Sequence, residues 1–182
     1  VQLQKRTVQL EIEKVLEKMH QKPIKIYSSG RTDAGVHALG QVIHFDSPLK
    51  LDCDAWKRAL ITLLPNDITV KRVDHVDTRF HARKDAKKKT YQYVVLNRKS
   101  HDVFRRNLEW HVPQEISLEK MQEAAKHIIG KHDFTPFTAS KTNVKGDKVR
   151  TIYDLNIWKE DDRIYFEVTG DGFLTHMVRS EE

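Results

Sequence analysis

The spacing of apolar residues alternates along the chain between a helical period and a strand period. From residue 7 to residue 19, apolar side chains recur every three or four positions between charged ones, which predicts an amphipathic helix. A second stripe of this kind predicts a helix that Pro65 ends. A third predicts a helix over about residues 118–129, after the suitable N-cap residue Ser117 and before the helix-ending Gly130.

Between the predicted helices, apolar and polar residues alternate with the period of two expected of half-buried strands. The predicted strands cover residues 24–28, 41–46, 68–76 and 89–96. Residues 152–158 and 164–169 are predicted to form a β-hairpin through the turn at 160–163. This order of elements favours an α+β fold with a largely antiparallel sheet flanked by helices. A basic segment at 98–113 is the expected soft boundary between two parts of the chain.

The charge of the chain permits a polyanionic partner without identifying one. The 32 Lys and Arg residues against 26 Asp and Glu residues give a formal charge of +6. The length of 182 residues suffices for one substantial domain or two small ones. No membrane span is predicted, and a single cysteine, Cys53, argues against a disulfide framework. Because no secretory leader pattern opens the sequence, a reducing cytoplasm is the expected location.

The segment Gly30–Gly40 holds the most informative chemistry of the chain. Its glycines permit unusual backbone angles or a close approach of a ligand. Arg31 and Asp33 are two positions apart, so in an extended stretch they share a face, and the guanidinium would keep the aspartate ionised. An ionised carboxylate in such a loop is a candidate nucleophile or base, and the loop is predicted to lie between two strands.

The residues alone leave other interpretations of this loop open. Residues 30–33 could form a tight surface turn in which Asp33 hydrogen-bonds to its own backbone, and composition alone favours that interpretation. Asp33, His37 and His44 could instead be metal ligands. Against a metal site, no Cys or His pair has zinc-like spacing, and Cys53 has no partner cysteine.

Six blocks of the sequence, in order, resemble those of the TruA-type tRNA pseudouridine synthases. The first is Gly30-Arg-Thr-Asp-Ala-Gly-Val-His-Ala38, which resembles the family signature that contains the catalytic aspartate. The other five are Leu64-Pro-Asn-Asp-Ile68, Arg79-Phe-His-Ala-Arg83, Lys89-Thr-Tyr-Gln-Tyr93, His132-Asp-Phe-Thr-Pro-Phe137 and Gly172-Phe-Leu-Thr-His-Met-Val-Arg179.

The resemblance implies a fold and a reaction. It implies two similar α/β halves with a cleft between them, here residues 1–104 with the aspartate loop and residues 105–182 as an incomplete second half. The implied reaction isomerises uridine to pseudouridine in the anticodon stem-loop of tRNA, at about positions 38 to 40, after the nucleotide is flipped out of its stack. It requires no cofactor and no metal. The implied partners are tRNA and, in a homodimer, a second copy of the chain, with no membrane.

The resemblance also implies roles for individual residues. Asp33 would attack either C6 of the uracil or C1′ of the ribose, and Arg179 would pair with it and keep it ionised. Tyr91 would stack on the target base and take the C5 proton. Arg31 would fill the space left by the flipped nucleotide or hold its phosphate. The further contacts to RNA or base would come from His37, Arg79, Arg83, Lys88, Lys89, Phe173, Leu174, Met177 and Val178.

Several of these residues also have purely structural interpretations. The basic run at 79–89 could neutralise phosphates beside a stacking Tyr91, or it could be a solvated loop before a core strand. The block at 132–137 is interpreted as a helix exit packed by Phe134 and Phe137. The apolar residues at 173–178 could form core as well as pocket wall.

The ends of the sequence depart most from the family pattern. The chain opens inside the first loop of the family and stops shortly after Arg179, so it is expected to be a truncated member. Two other functional classes therefore stay open. One is a non-catalytic RNA-binding fragment, and the other is a metal-dependent hydrolase that uses Asp33, His37 and His44.

Overall fold

The computed structural model describes residues 6–137, 147–175 and 177–179. The chain packs as two compact units, residues 1–86 and residues 87–182. The predicted boundary between the two halves lies after residue 104. Residues 87–104 therefore belong to the first predicted half but to the second packed unit. The halves themselves stay a prediction. In the described part of the chain, no helix is both long and apolar enough to span a bilayer.

Two helices form the framework of the first unit. The first follows the predicted range of residues 7–19 to within one residue at each end, and the second ends before Pro65, as predicted. α1 spans Val8–His20 and α2 spans Cys53–Leu63. Each helix begins at a side-chain cap: Thr7 Oγ1 accepts from the Leu10 N–H at 3.2 Å, and the Asp52 carboxylate accepts from the Ala55 N–H at 2.6 Å.

The core of the first unit lies between the apolar faces of these two helices and the segments beside them. Leu16 of α1 and Trp56 and Leu60 of α2 are buried in one cluster. Two short antiparallel strands, β1 at Tyr27–Ser28 and β2 at Ile43–His44, complete this unit. They lie within the predicted strands at 24–28 and 41–46, which are therefore confirmed in place but not in length.

The predicted strand at 68–76 is wrong. These residues belong to no helix or strand. Ile68, Val70 and Val73 are partly buried against the core of the first unit. Their spacing therefore reflects burial of one side of this segment against the core, without the pairing to a neighbouring strand that would make it part of a sheet.

A five-stranded sheet forms the second unit. Its strands are β3 (Lys89–Leu96), β4 (Trp110–His111), β5 (Gly130–Asp133), β6 (Val149–Glu160) and β7 (Arg163–Gly170), in the spatial order β4-β3-β7-β6-β5. β3 and β4 are parallel, and the other neighbouring strands are antiparallel. The β6–β7 hairpin and the α+β class with a largely antiparallel sheet are confirmed.

Helix α3, Leu118–Lys126, packs on this sheet. Ser117 caps it by accepting from the Lys120 N–H at 3.3 Å, as predicted. Ala125 is buried with Val95, Ile157 and Ile164 of three strands. The helix therefore covers the face of the sheet to which β3 contributes Val95.

The block at 132–137 packs by a different backbone from the one predicted. It starts in β5 and ends in a 3-10 turn, Thr135–Phe137, so it is not a helix exit. The packing interpretation is nevertheless confirmed for Phe134, which is 3% exposed and lies 5.6 Å from the Phe137 ring. Asp133 accepts from both the N–H and the hydroxyl of Thr135, which lowers the pKa of this carboxyl.

Candidate active site

Asp33 lies in the connection between β1 and β2, as the sequence predicts. Tyr27 pairs with His44 and Ser28 with Ile43, and the Ser29 N–H donates to the Val42 carbonyl at 2.9 Å. Residues 31–42 are all exposed. The hairpin therefore presents the aspartate on a loop that water and a large substrate can reach in this unit.

A tight turn fixes the backbone around Asp33. The Val36 N–H donates to the Asp33 carbonyl at 3.3 Å, and Gly35 has a φ of +85°. A positive φ at the third position of a four-residue turn is characteristic of a type II turn, which favours glycine there. The sequence placed a tight turn at residues 30–33, but the structure has no turn there and forms one at residues 33–36. This turn is compatible with a catalytic role for Asp33, which stays a prediction.

Hydrogen bonds also join the two ends of the loop, where it leaves β1 and enters β2. The carbonyl of Gly30 accepts from the Ser28 hydroxyl at 3.1 Å and from the Gln41 side-chain amide. These hydrogen bonds join Ser28 and Gln41, on opposite sides of the loop, to one carbonyl. We infer that they fix the position of both ends of the glycine-rich loop.

An aromatic and imidazole group lies at the foot of this hairpin, which we call the His44 cluster: Tyr27, His44, Phe80 and His81. The His44 ring stacks on Tyr27 with centroids 5.1 Å apart and lies 4.8 Å from His81. Phe80 meets His44 edge-on at 5.9 Å. His44 Nδ1 also accepts a hydrogen bond from the Ala82 N–H at 3.2 Å.

The His44 cluster places the Arg79–Arg83 block beside the aspartate hairpin. Sequence reasoning listed this block and the aspartate loop separately and missed the contact between them. The alternation of β2 marks His44 as a strand residue only, and 38 positions separate it from Ala82. No local spacing signal reveals a contact over that separation.

The predicted phosphate-binding cations of the first unit are exposed. Arg31, His37, Arg79 and Arg83 all lie at the surface. Arg79 pairs with Asp77 at 2.9 Å, and its guanidinium lowers the pKa of that carboxyl. Arg83 forms no ion pair with any other described residue, so its charge is less compensated than that of Arg79.

In the second unit, the structure brings together the predicted base-stacking residue and part of the predicted apolar wall. Tyr91 of β3 lies opposite Val168 and meets the Phe173 ring edge-on, at 5.0 Å and 84°. Phe173 packs against a cluster that buries Leu174 and Met177. The wall is therefore core and candidate pocket surface at once.

The remaining predicted residues of this unit lie at the start of β3 and in the 3-10 turn that follows β7. Lys88 is exposed just before β3, and Lys89 is its half-buried first residue. Val178 is half-buried in the 3-10 turn Met177–Arg179. Arg179 ends that turn, and its side chain lies outside the described residues.

Gly170 is a residue of this region that sequence reasoning missed. A Cβ at Gly170 would lie 2.9 Å from the Thr151 carbonyl oxygen and 3.3 Å from Phe173 Cζ. The β6–β7 ladder is irregular here, with a bulge between Ile152 and Asp154. Glycine therefore permits the close approach that lets Phe173 pack beside Tyr91.

The metal interpretation finds no assembled ligand set. Among the described residues, no three His, Cys, Asp or Glu side chains come together as a metal site. Asp33, His37 and His44 are therefore not grouped, and the Nδ1 lone pair of His44 is already used by the Ala82 N–H.

Comparison with known proteins agrees with the motifs. A family model described as tRNA pseudouridine synthase matches residues 1–85 and 124–181. A protein of Bacillus subtilis named tRNA pseudouridine synthase A is 51% identical over 181 residues, which cover 98% of this chain and 73% of the relative. A protein of the same name from Oceanobacillus iheyensis is 49% identical over 180 residues, covering 98% of this chain and 71% of the relative. The match to the family model and the identity to these relatives extend well beyond the aspartate loop, and the chain belongs to the tRNA pseudouridine synthase family.

Proposed function

We propose that this chain isomerises uridine to pseudouridine in tRNA, with Asp33 as the catalytic residue. The observation that carries the proposal is the placement of Asp33 on an exposed, glycine-stabilised turn of a short hairpin. Family membership supports the same reaction class. The target uridine is proposed to lie in the anticodon stem-loop, at about positions 38 to 40, from the resemblance of the sequence motifs.

The proposed reaction moves one bond of the nucleotide. After the uridine is flipped out of its stack, the Asp33 carboxylate attacks either C6 of the uracil or C1′ of the ribose. The bond between C1′ and N1 breaks, the uracil rotates, and a bond forms between C1′ and C5. In either case the bond from Asp33 to the nucleotide breaks before the product leaves, which restores the free carboxylate. The C5 proton passes to a base and then to water, and N1 takes up a proton. Because uridine and pseudouridine are isomers, the scheme involves no net oxidation or reduction and needs no redox cofactor.

Tyr91 and Phe173 are proposed to receive the flipped base. Their rings meet nearly at right angles, which makes an aromatic corner in the second unit. Leu174 and Met177 behind Phe173, with Val178, would exclude water from the base. The Tyr91 hydroxyl is the proposed acceptor of the C5 proton.

The exposed cations are proposed to hold the tRNA backbone. Arg31, His37, Arg79, Arg83, Lys88 and Lys89 are the residues concerned. Each phosphate that a cation neutralises releases counterions, so binding should weaken steeply with salt. Arg179 is proposed, from the resemblance alone, as the partner of the Asp33 carboxylate. A homodimer and a cytoplasmic location are proposed on the same basis.

Tritium release from tRNA carrying C5-labelled uridine tests the proposal. The unmodified chain should release tritium in the presence of EDTA. Asp33→Asn, which keeps the size of the side chain and removes its charge, should release none while still binding tRNA. The matched control is Asp46→Asn, an exposed aspartate of the same unit that should retain release.

The other outcomes of this assay identify the two alternative functions. Binding without release by the unmodified chain would indicate a non-catalytic RNA-binding protein. Activity that EDTA abolishes would indicate metal-dependent chemistry. Chemical labelling of pseudouridine followed by reverse transcription would then map the modified position and test the assignment to the anticodon stem-loop.

A further inference from the structure

The segment from Asn97 to Glu109, which we call the crossover loop, connects the neighbouring parallel strands β3 and β4. Parallel neighbours need a crossover of a dozen or more residues, usually with a helix. Here the connection consists of turns. The Asn97 side chain closes its base by donating to the carbonyls of Val112 at 2.9 Å and Gln114 at 2.6 Å. The crossover loop also lies in the stretch between the two segments that the family model matches.

The acidic side chains of the crossover loop point inward. Arg163 of β7 donates from Nε to Glu109 at 2.6 Å and from Nη2 to Asp102 at 2.7 Å. The side chain of Glu109 is only 2% exposed and that of Arg163 17%. The Asp102 carboxylate also accepts from the Phe104 N–H at 3.1 Å. Arg105 also pairs with Glu109 at 3.5 Å, so two guanidinium groups balance the two carboxylates, and the same contacts fix the backbone of the loop.

The outer surface of the crossover loop is cationic and apolar. Phe104 is 94% exposed, and Val103 and Leu108 are exposed beside it. Lys99 and Arg106 are exposed and form no ion pair with any residue in the described part of the chain. Arg106 instead donates to the Val103 carbonyl at 2.6 Å, which holds its guanidinium next to the aromatic apex.

An exposed aromatic ring on a loop that also carries cations without ion-pair partners is an arrangement that binds single-stranded or unstacked nucleic acid. A base stacks on the ring, and the cations neutralise the neighbouring phosphates. Because the two acids of the loop are paired with Arg163 and Arg105, they add little repulsion toward a polyanion. An apolar protein surface would gain from Val103 and Leu108 but would have to desolvate Lys99 and Arg106 without a partner.

We propose that the crossover loop is a second tRNA-binding site, in which Phe104 stacks on an unpaired base and Lys99 and Arg106 bind phosphates. This inference rests on the proposed function, since it takes tRNA as the substrate. Tyr91 and Asn97 are separated by about 20 Å along β3 at the usual rise per residue. The crossover loop therefore contacts RNA away from the target base and contributes to affinity without taking part in the chemistry.

Binding of an unmodified tRNA transcript to the full chain tests this site. Fluorescence anisotropy measures the Kd at a series of salt concentrations. Phe104→Leu keeps the apolar area and loses the stacking ring, and it should raise the Kd about ten-fold, whereas Phe104→Trp should bind at least as well as the unmodified chain. Arg106→Ala should reduce the slope of log K against log salt by about one. Tritium release at saturating tRNA should keep its kcat in all three variants.

The controls separate this proposal from the proposed function. Lys120→Ala removes another exposed cation, from α3, and should change neither the Kd nor the slope. Equal affinity of Phe104→Leu and the unmodified chain would overturn the second site while leaving pseudouridylation intact. A loss of self-association in Phe104→Leu, seen by sedimentation velocity without a change in tRNA affinity, would assign the loop to protein contact instead. An unmodified chain that binds no tRNA would overturn both proposals.

Discussion

Nδ1 of His44 accepts a hydrogen bond from the backbone N–H of Ala82 at 3.2 Å. This bond joins β2 of the aspartate hairpin to the basic Arg79–Arg83 block. The acceptor role requires an unprotonated Nδ1. The His44 ring also stacks on Tyr27 of β1, so one side chain contacts both strands of the hairpin and the basic block.

Removing the acceptor of His44 should loosen the aspartate loop. His44→Phe keeps an aromatic ring for Tyr27 but leaves the Ala82 N–H without its acceptor, so we expect a loss of about 1 kcal/mol in the free energy of unfolding. His44→Asn keeps an acceptor near the position of Nδ1 and loses the ring. Urea unfolding measures the loss of stability in each variant, and tritium release measures the effect of each variant on the aspartate loop. If His44→Phe were as stable and as active as the unmodified chain, the hydrogen bond would be incidental to the loop.

Gly35 and Gly40 provide a matched pair for the turn at Asp33. A Cβ at either position would meet no atom within 4 Å, but only Gly35 has a positive φ, +85°. Gly35→Ala should therefore destabilise the turn by about 1 kcal/mol through backbone strain alone and slow tritium release, whereas Gly40→Ala should do neither. Release kinetics and thermal unfolding of the two variants check this. Equal effects of the two substitutions would contradict a strained turn as the device that positions Asp33.

Gly170 and Gly172 provide a second pair, close to Phe173. A methyl group at Gly170 would lie 2.9 Å from the Thr151 carbonyl oxygen, whereas one at Gly172 would come no closer than 3.6 Å, to Arg150. Gly170→Ala should cost about 1 to 3 kcal/mol of stability, because backbone must shift to admit the methyl group, and Gly172→Ala should be nearly neutral. Denaturant unfolding measures both. A neutral Gly170→Ala would show that the strand end yields easily at the bulge.

Local features of the fold could be predicted from the sequence because their causes are local. The predicted cap of the third helix, Ser117, acts on an N–H only three residues away, and Thr7 and Asp52, which were not predicted as caps, act over the same spacing. The hairpin at 152–169 has a short connection, and its alternation continues through both strands. In contrast, alternation at 68–76 recorded burial against the core without strand pairing, so the predicted strand was wrong.

The candidate site could be predicted only where a motif named it. The glycines of the loop indicate a turn near Asp33, but only the family blocks assigned both Tyr91 and Phe173 to the target base, because Phe173 follows Tyr91 by 82 positions. The Arg163–Glu109 pair joins residues 54 positions apart. Contacts of this kind depend on which strands become neighbours, and a single sequence carries no spacing signal for that.

Asp102 predicts an acid-sensitive contribution to stability. Burial raises the pKa of Asp102, but the N–H groups of Phe104 and Arg105 and the Arg163 guanidinium together lower it by more, so it lies below its usual range. A carboxyl with a lowered pKa in the folded state stabilises fully above its unfolded pKa of about 3.9, and this contribution is lost as the pH falls through the folded pKa. Asp102→Asn should therefore be less stable than the unmodified chain at pH 7, and the difference should narrow below about pH 4.

Circular dichroism of urea unfolding between pH 7 and pH 2.5 measures this difference. The control is Asp161→Asn, at an exposed turn residue with a φ of 50°, a conformation that asparagine tolerates. It should shift stability equally at all pH values or not at all. The difference in free energy of unfolding between Asp102→Asn and the unmodified chain could instead stay constant down to pH 2.5. That result would show that Asp102 contributes through its shape and not through its charge.

Tyr91→Phe separates the ring of Tyr91 from its hydroxyl. The phenyl ring keeps the edge-on contact with Phe173 and the stacking surface, so the Kd for tRNA should stay within about two-fold. Loss of the group proposed to take the C5 proton should lower kcat for tritium release by about 10² to 10⁴. Phe173→Leu is the matched control, because it keeps the hydroxyl and removes the aromatic partner, and it should raise KM more than it lowers kcat. An unchanged kcat in Tyr91→Phe would assign the C5 proton to another group and leave Tyr91 with stacking alone.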